Sequence, residues 1–148
     1  MSPSIDSVVD STPAARLSTK ARQFLTEPRF AAVSVLSPDG SPLQAVIWYE
    51  LEDDSIIFNS RLGRHWPANL MRDQRVSLMV ADGYDYVEMR GRVEVDCDET
   101  RGLAVISELT HRYQKDPEAA AAQIAGFARE QRVTFVLRPE RIFERLSD

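Results

Sequence analysis

Two strand-length runs joined by a tight turn constrain this chain more than any other feature. Phe30 to Leu36 is apolar, Ser37-Pro38-Asp39-Gly40 follows, and Leu43 to Leu51 returns. Proline presets φ inside a turn, aspartate bonds its own local backbone, and glycine takes the positive φ that other residues avoid. Such a turn between two strand-length runs predicts an antiparallel hairpin. Along the returning strand Val46, Trp48 and Glu50 fall on one side and Ile47 and Tyr49 on the other. Asp53-Asp54 turns the chain again into Ser55 to Asn59, so these three strands are expected to form a meander.

The rest of the chain extends this pattern. Arg75 to Val80, Tyr84 to Val95 and Arg132 to Leu137 read as further strands, and Gly91 marks a bulge or a barrel bend. An extended tail, Ile142 to Leu146, follows Arg138-Pro139-Glu140-Arg141. The fold class expected is mainly β with flanking helices: six strands, mostly antiparallel, in a small barrel. The helices fall where apolar residues recur at the helical period. Ser18 caps one that buries Ala21, Phe24 and Leu25, and a short one runs from Pro67 to Arg72. Asp98 caps a third through Leu103, Ile106, Leu109 and Tyr113; Asp116-Pro117-Glu118 starts a fourth that buries Ile124 and Phe127. Residues 1–15, rich in Ser, Asp and Pro, are expected to be a disordered leader before a single domain over 16–148.

Charge narrows the function. The net charge is −5, and arginines alternate with acids instead of forming a basic stripe, which argues against nucleic acid. No apolar run reaches the ~20 residues that span a bilayer, and the first residues lack the pattern of a secretory signal. The expected location is the cytoplasm, with no membrane partner. The one cysteine, Cys97, sits between Asp96 and Asp98, where neighbouring carboxylates disfavour a thiolate. Neither His-x-x-x-His nor Cys-x-x-Cys occurs, so no metal is expected.

The segment Asn59-Ser60-Arg61-Leu62-Gly63-Arg64-His65-Trp66-Pro67-Ala68-Asn69-Leu70 is the best candidate for a ligand. It joins a strand end to a helix start entered through Pro67. Backbone N–H groups and the positive end of the helix dipole favour an anion there, and arginine adds forked, charge-assisted hydrogen bonds. The glycine spacing matches neither common nucleotide signature. Ser60 with His65 lacks an orienting carboxylate and makes no acyl-transfer site.

These residues and their order resemble the split β-barrel flavin and deazaflavin family related to pyridoxamine phosphate oxidase, most closely its small coenzyme F-420-dependent branch. The resemblance runs from about Leu17 to Phe143. It is carried by Ser37-Pro38-Asp39-Gly40-Ser41-Pro42 with Trp48-Tyr49, by Gly63-Arg64 with Asn69-Leu70-Met71-Arg72-Asp73-Gln74-Arg75-Val76-Ser77, and by Tyr86-Val87-Glu88-Met89-Arg90-Gly91-Arg92-Val93. His111-Arg112-Tyr113, Arg132-Val133 and Arg138-Pro139-Glu140-Arg141-Ile142 complete it. The resemblance implies an FMN-binding split barrel and a homodimer whose cofactor lies between subunits. It places Asn59, Ser60, Arg61, Arg64, His65 and Asn69 near the phosphate end and the strand Gln44 to Trp48, with Ala45, Val46 and Ile47 at its centre, along the ring, mainly through backbone. Tyr84 and Tyr86 approach from the partner chain. Many members carry lysine where this chain has Trp66, whose ring can stack but supplies no cation. The Trp-containing C-terminal signature of true pyridoxamine phosphate oxidases is absent, so that substrate is demoted.

The function so implied is hydride transfer between reduced F-420 and a conjugated small-molecule acceptor. FMN is the alternative cofactor, and a non-catalytic flavin or deazaflavin carrier the alternative role. No catalytic side chain is singled out, because the cofactor carries such chemistry.

Overall fold

The computed structural model describes residues 15–148. The expected leader lies outside the described residues except for Ala15, whose N–H donates to Pro139 O at 2.8 Å. The elements in order are α1 (Thr19–Thr26), β1 (Ala31–Leu36), β2 (Pro42–Ile47), β3 (Glu50–Glu52), β4 (Ser55–Arg61), α2 (His65–Arg72), β5 (Arg75–Asp82), β6 (Asp85–Asp96), α3 (Glu99–Tyr113), α4 (Pro117–Phe127), β7 (Arg132–Leu137) and β8 (Arg141–Arg145). The strands follow the path β2-β1-β5-β6-β7-β4-β3, with β8 added on β6. Every pairing is antiparallel.

The mainly β, antiparallel, helix-flanked class holds, with eight strands among the described residues in place of six. Two differences account for the count. The tail pairs with β6, Glu88 opposite Phe143, and becomes β8. The returning strand breaks at Trp48-Tyr49 into β2 and β3, which pair with different neighbours. The three-strand meander therefore does not form: β2 and β3 are the two ends of the sheet path, linked by two residues. That short link forces the sheet to curl until its ends meet, which makes the barrel, and Trp48-Tyr49 spans the seam. The α3 C-terminus pins the seam. Arg112 Nε donates to Tyr49 O at 3.0 Å, and the Tyr49 N–H donates to Tyr113 Oη at 3.3 Å. Tyr49 Oη reaches Leu25 O at 2.9 Å and ties α1 to the same point.

Strand alternation fills the barrel. Val33 and Val35, Phe58, Leu78, Met89, Phe135 and Leu137 point inward with Leu70 of α2. Each fully buried side chain of this size contributes about 1.5–3 kcal/mol. Ile57 and Val136 point out of the barrel, where Val105, Ile106 and Leu109 of α3 cover them. Leu103, expected on that buried stripe, is exposed, and Val105 takes its place. In α4 it is Ala120 that is fully buried; Ile124 and Phe127 are half-buried. Gly91 sits where β6 passes from β8 to β7. A Cβ there would stand 3.2 Å from Glu140 N and 3.3 Å from Arg138 O, so the β7–β8 connection crosses only over a glycine. The caps at Ser18 and Asp98 each accept a first-turn N–H as expected, and Asp116 does the same at the start of α4. No helix among the described residues is long and apolar enough to cross a membrane.

Among the described residues one carboxyl, that of Glu50, is held well above its ordinary value. Burial pushes Glu50 up to about 7, and the Glu108 carboxyl of α3 adds to the shift. The folded protein thus holds this proton more tightly than the unfolded chain, where the value is 4.5. The stability involved is complete below that value and is lost as pH rises through about 7. Glu50→Gln is neutral at every pH. It should raise stability at pH 8 by about 1–2 kcal/mol, after discounting for the partly exposed carboxylate, and leave it nearly unchanged at pH 4. Urea denaturation at both pH values checks this; an equal effect at both would refute it.

Candidate functional site

A cavity of about 250 Å³ opens beside the seam, outside the barrel wall. The end of β2 and the seam supply Val46, Ile47 and Trp48; α3 and α4 supply Ile106, Leu109 and Phe127. Arg64 and Trp66 enter from the β4–α2 connection, and Asn59, Arg61, Glu130 and Arg132 complete the wall. One side is thus apolar and aromatic, the other rich in arginine. The aromatic side is rigid: Trp48 stacks on Tyr113 with centroids 5.2 Å apart and meets Phe127 edge-on at 6.4 Å. Trp66 is a core residue, packed on Phe58 at 6.0 Å and Phe135 at 5.7 Å, and only its rim reaches the cavity.

Strand alternation decides the polar side. Ile57, Asn59 and Arg61 of β4 face away from the barrel interior, as does Arg132, the register partner of Arg61 on β7. The Arg132 side chain is 8% exposed, and burial weakens its hold on its proton. It is held from two sides: Nε donates to Asn59 Oδ1 at 2.6 Å and one terminal nitrogen to Glu130 Oε1 at 2.8 Å. Asn59 Nδ2 in turn donates to Gly102 O and Thr134 Oγ1, both at 3.1 Å. Gly102 allows that approach, since a Cβ there would lie 3.1 Å from the Arg132 Cβ. Arg61 reaches the other Glu130 oxygen at 3.5 Å. Arg64 caps α2 through its backbone only, and its side chain has neither a hydrogen bond nor an ion pair among the described residues. Three arginines therefore face one carboxylate, and the cavity carries surplus positive charge.

The residues expected at the site separate into two groups. Val46, Ile47, Asn59, Arg61, Arg64 and Trp66 line this cavity. Ala45, Ser60, His65, Asn69, Tyr84 and Tyr86 do not. Ala45 packs against the barrel core. Ser60 is buried with an unpartnered hydroxyl, in line with the inward-facing Phe58 and not with Asn59. His65 is exposed, and Asn69 accepts a hydrogen bond from Arg72 at 2.8 Å. The helix begins at His65, so Pro67 is its third residue and not its first. Tyr84 stands exposed at the β5–β6 turn, and Tyr86 packs on Phe143 at 5.8 Å. Sequence reasoning passed over Phe127, Glu130 and Arg132 as cavity residues. The signal for Arg132 was present: an arginine opening an otherwise apolar strand, Arg132 to Leu137, asks for a buried partner. Among the described residues no group of three His, Cys, Asp or Glu side chains could hold a metal ion.

The outer face of the sheet runs into this cavity. Val46 is opposite Ala32, Ala32 opposite Met79, Met79 opposite Glu88, and Glu88 opposite Phe143. This row crosses five strands, and Val46 at its end is 74% exposed while also lining the cavity. Phe30, Met79, Tyr84 and Phe143 are exposed around the row.

Comparison with known proteins agrees with this architecture. No curated protein matches the chain. Among solved structures, one named F-420 reductase is 24% identical, with 86% of this chain and 98% of that one covered and a TM-score of 0.68. A conserved hypothetical protein of Mycobacterium tuberculosis is 21% identical over 88% of this chain and 85% of its own, with a TM-score of 0.74. The heme storage protein HutZ of Vibrio cholerae is 14% identical over 88% and 95%, with a TM-score of 0.67. These likenesses establish the fold. The family model described as pyridoxamine 5'-phosphate oxidase matches residues 17–145, from the residue before the α1 cap to the end of β8, and the chain belongs to that family.

Proposed function

We propose that this chain is an oxidoreductase that uses the deazaflavin coenzyme F-420 to reduce a flat, conjugated organic acceptor. The carrying observation is the meeting, in one cavity, of an arginine at a helix start, unpaired among the described residues, with a fixed aromatic wall. Arg64, with Arg61 beside it, suits a phosphate: guanidinium groups fork onto phosphate oxygens, and the α2 dipole points the same way. Trp48 and Phe127, with Ile47, Ile106 and Leu109, offer a flat ring system an apolar surface. When bound, the reduced coenzyme supplies a hydride to the acceptor, and solvent supplies the balancing proton. The chain's own residues bind, orient and exclude water, which accounts for the lack of a side-chain nucleophile in the cavity. The likeness to a protein named F-420 reductase supports this cofactor over FMN.

The protein acts as a homodimer. Its cavity of about 250 Å³ falls short of the ~300–1,000 Å³ of ordinary small-molecule sites. A second copy laid on the exposed row from Val46 to Phe143 would cover apolar surface and wall the cavity at Val46. A two-fold pair is the commonest way to bury such a face. It should bury at least ~1,000 Å². In that arrangement Tyr84 and Tyr86 approach the partner's cavity.

Fluorescence titration of the purified protein with F-420 and with FMN tests the cofactor, followed by turnover on quinones, enones and tetrapyrroles. F-420 binding with reduction of a panel member is expected. Tight FMN binding without F-420 binding transfers the function to FMN. Binding with no turnover makes the chain a carrier. Light scattering at micromolar concentration tests the assembly, and a stable monomer that binds cofactor at full strength would remove the shared groove.

A further inference from the structure

We propose that Glu130 is the resident counterion of the cavity, and that an incoming anion displaces it from Arg61 and Arg132. One Glu130 oxygen accepts from Arg132 at 2.8 Å and the other lies 3.5 Å from Arg61, so a single carboxylate bridges both arginines. That is the geometry a bound phosphate would take on the same pair. The three groups differ in freedom. Arg132 sits on β7, buried, with Nε fixed to Asn59 Oδ1 at 2.6 Å. Glu130 belongs to the connection between α4 and β7, and its side chain is 35% exposed. It can swing into water with no loss of core contact, whereas the buried guanidinium cannot follow it.

Charge gives the exchange its direction. Without a ligand, a buried arginine with no counterion is costly, and Glu130 supplies one. With a ligand, Arg64 adds a third cation that Glu130 does not reach, so an anion touching all three arginines is held better than the carboxylate it displaces. The ligand must then outcompete an internal anion already in place. An anionic phosphate that also reaches Arg64 does so and a neutral hydroxyl does not, which makes Glu130 a specificity residue favouring phosphorylated over dephosphorylated forms of one ring system. The inference rests on the anion-binding reading of the cavity but not on which cofactor brings the anion.

Inorganic phosphate is the probe, so the test stands apart from the choice between F-420 and FMN. Melting temperatures of the wild type and of Glu130→Gln are compared in chloride and in phosphate at equal ionic strength. Glu130→Gln should melt lower in chloride, and phosphate should restore it, with phosphate bound about ten-fold tighter than by the wild type. Glu130→Asp is one methylene shorter and cannot span both arginines; it should show a smaller gain in phosphate response and covers the case in which Glu130→Gln does not fold. An equal phosphate response in wild type and either folded variant overturns the proposal and makes Glu130 a purely structural partner of Arg132. Failure of both cofactors to bind would sink the oxidoreductase reading while leaving the phosphate result intact.

Discussion

Asn59→Ala should destabilise the protein by about 3–5 kcal/mol, the scale for stranding one member of a buried charged network. The side chain is a strut with three bonds. It accepts from Arg132 Nε at 2.6 Å and donates to Gly102 O and Thr134 Oγ1 at 3.1 Å each. Alanine removes all three at once. Among the described residues the Arg132 guanidinium keeps only Glu130 as a hydrogen-bond partner, and a buried carbonyl and hydroxyl each lose a partner, at about 1–3 kcal/mol apiece when unsatisfied. Thr134→Val, which removes one weaker neutral contact, should cost far less. Urea unfolding of both variants checks the ranking. A loss below about 1 kcal/mol for Asn59→Ala would show that water replaces the side chain, and that Asn59 is free to serve a ligand directly.

Asn59 also shows where the sequence stops being legible. The family resemblance places it near the phosphate end of the cofactor. The structure puts it at the cavity wall, but its oxygen and nitrogen are already committed to residues 43 to 75 positions away. No local pattern carries such pairings. Arg132 was overlooked for the same reason, since its burial depends on Asn59 across the β4–β7 ladder. The strands themselves were legible, because inward and outward residues alternate with period two along each of them. The break at Trp48-Tyr49 was not. Ile47 and Tyr49 are both buried and Trp48 lies between them, so the alternation passes through the break undisturbed. Only the change of hydrogen-bonding partner, from β1 to β4, divides the run, and a partner is a property of the fold. The tail β8 was hidden differently: Arg141, Phe143 and Arg145 alternate with Ile142 and Glu144, a pattern too polar to announce a strand until β6 supplies the ladder.

The candidate site divides along the same line. The cationic loop was readable because proline, glycine and arginine act through local backbone geometry and charge. Ser60 was misplaced by one residue's worth of alternation: its neighbours Asn59 and Arg61 face the cavity while its own hydroxyl turns inward. A strand's two faces are separated by a single position, so naming a contiguous run as a site assigns half of it to the wrong side.

Arg64→Ala should weaken binding of a phosphate-bearing cofactor by about 1–3 kcal/mol, the scale of hydrogen bonds to charged groups, or about 5–150-fold in dissociation constant. Its effect on folding should be near zero. Alanine is ordinarily a poor helix cap, but Arg64 uses no side-chain bond to cap α2, so nothing is lost there. Its side chain is exposed and pairs with no carboxylate among the described residues, so no buried partner is stranded. This separates it from Arg132, whose removal would damage both binding and fold. It also separates it from Arg61, which is already shared with Glu130 at 3.5 Å. Among the described residues Arg64 is thus the one cavity cation whose loss reports on the ligand alone. Equilibrium titration of wild type and variant, with urea unfolding as control, gives the two numbers needed. Unaltered affinity would mean that the phosphate lies elsewhere, and unfolding would mean that the loop before α2 is a structural element; a selective loss of affinity for the phosphorylated ligand, with the dephosphorylated ring bound as before, is the result that places the phosphate at Arg64.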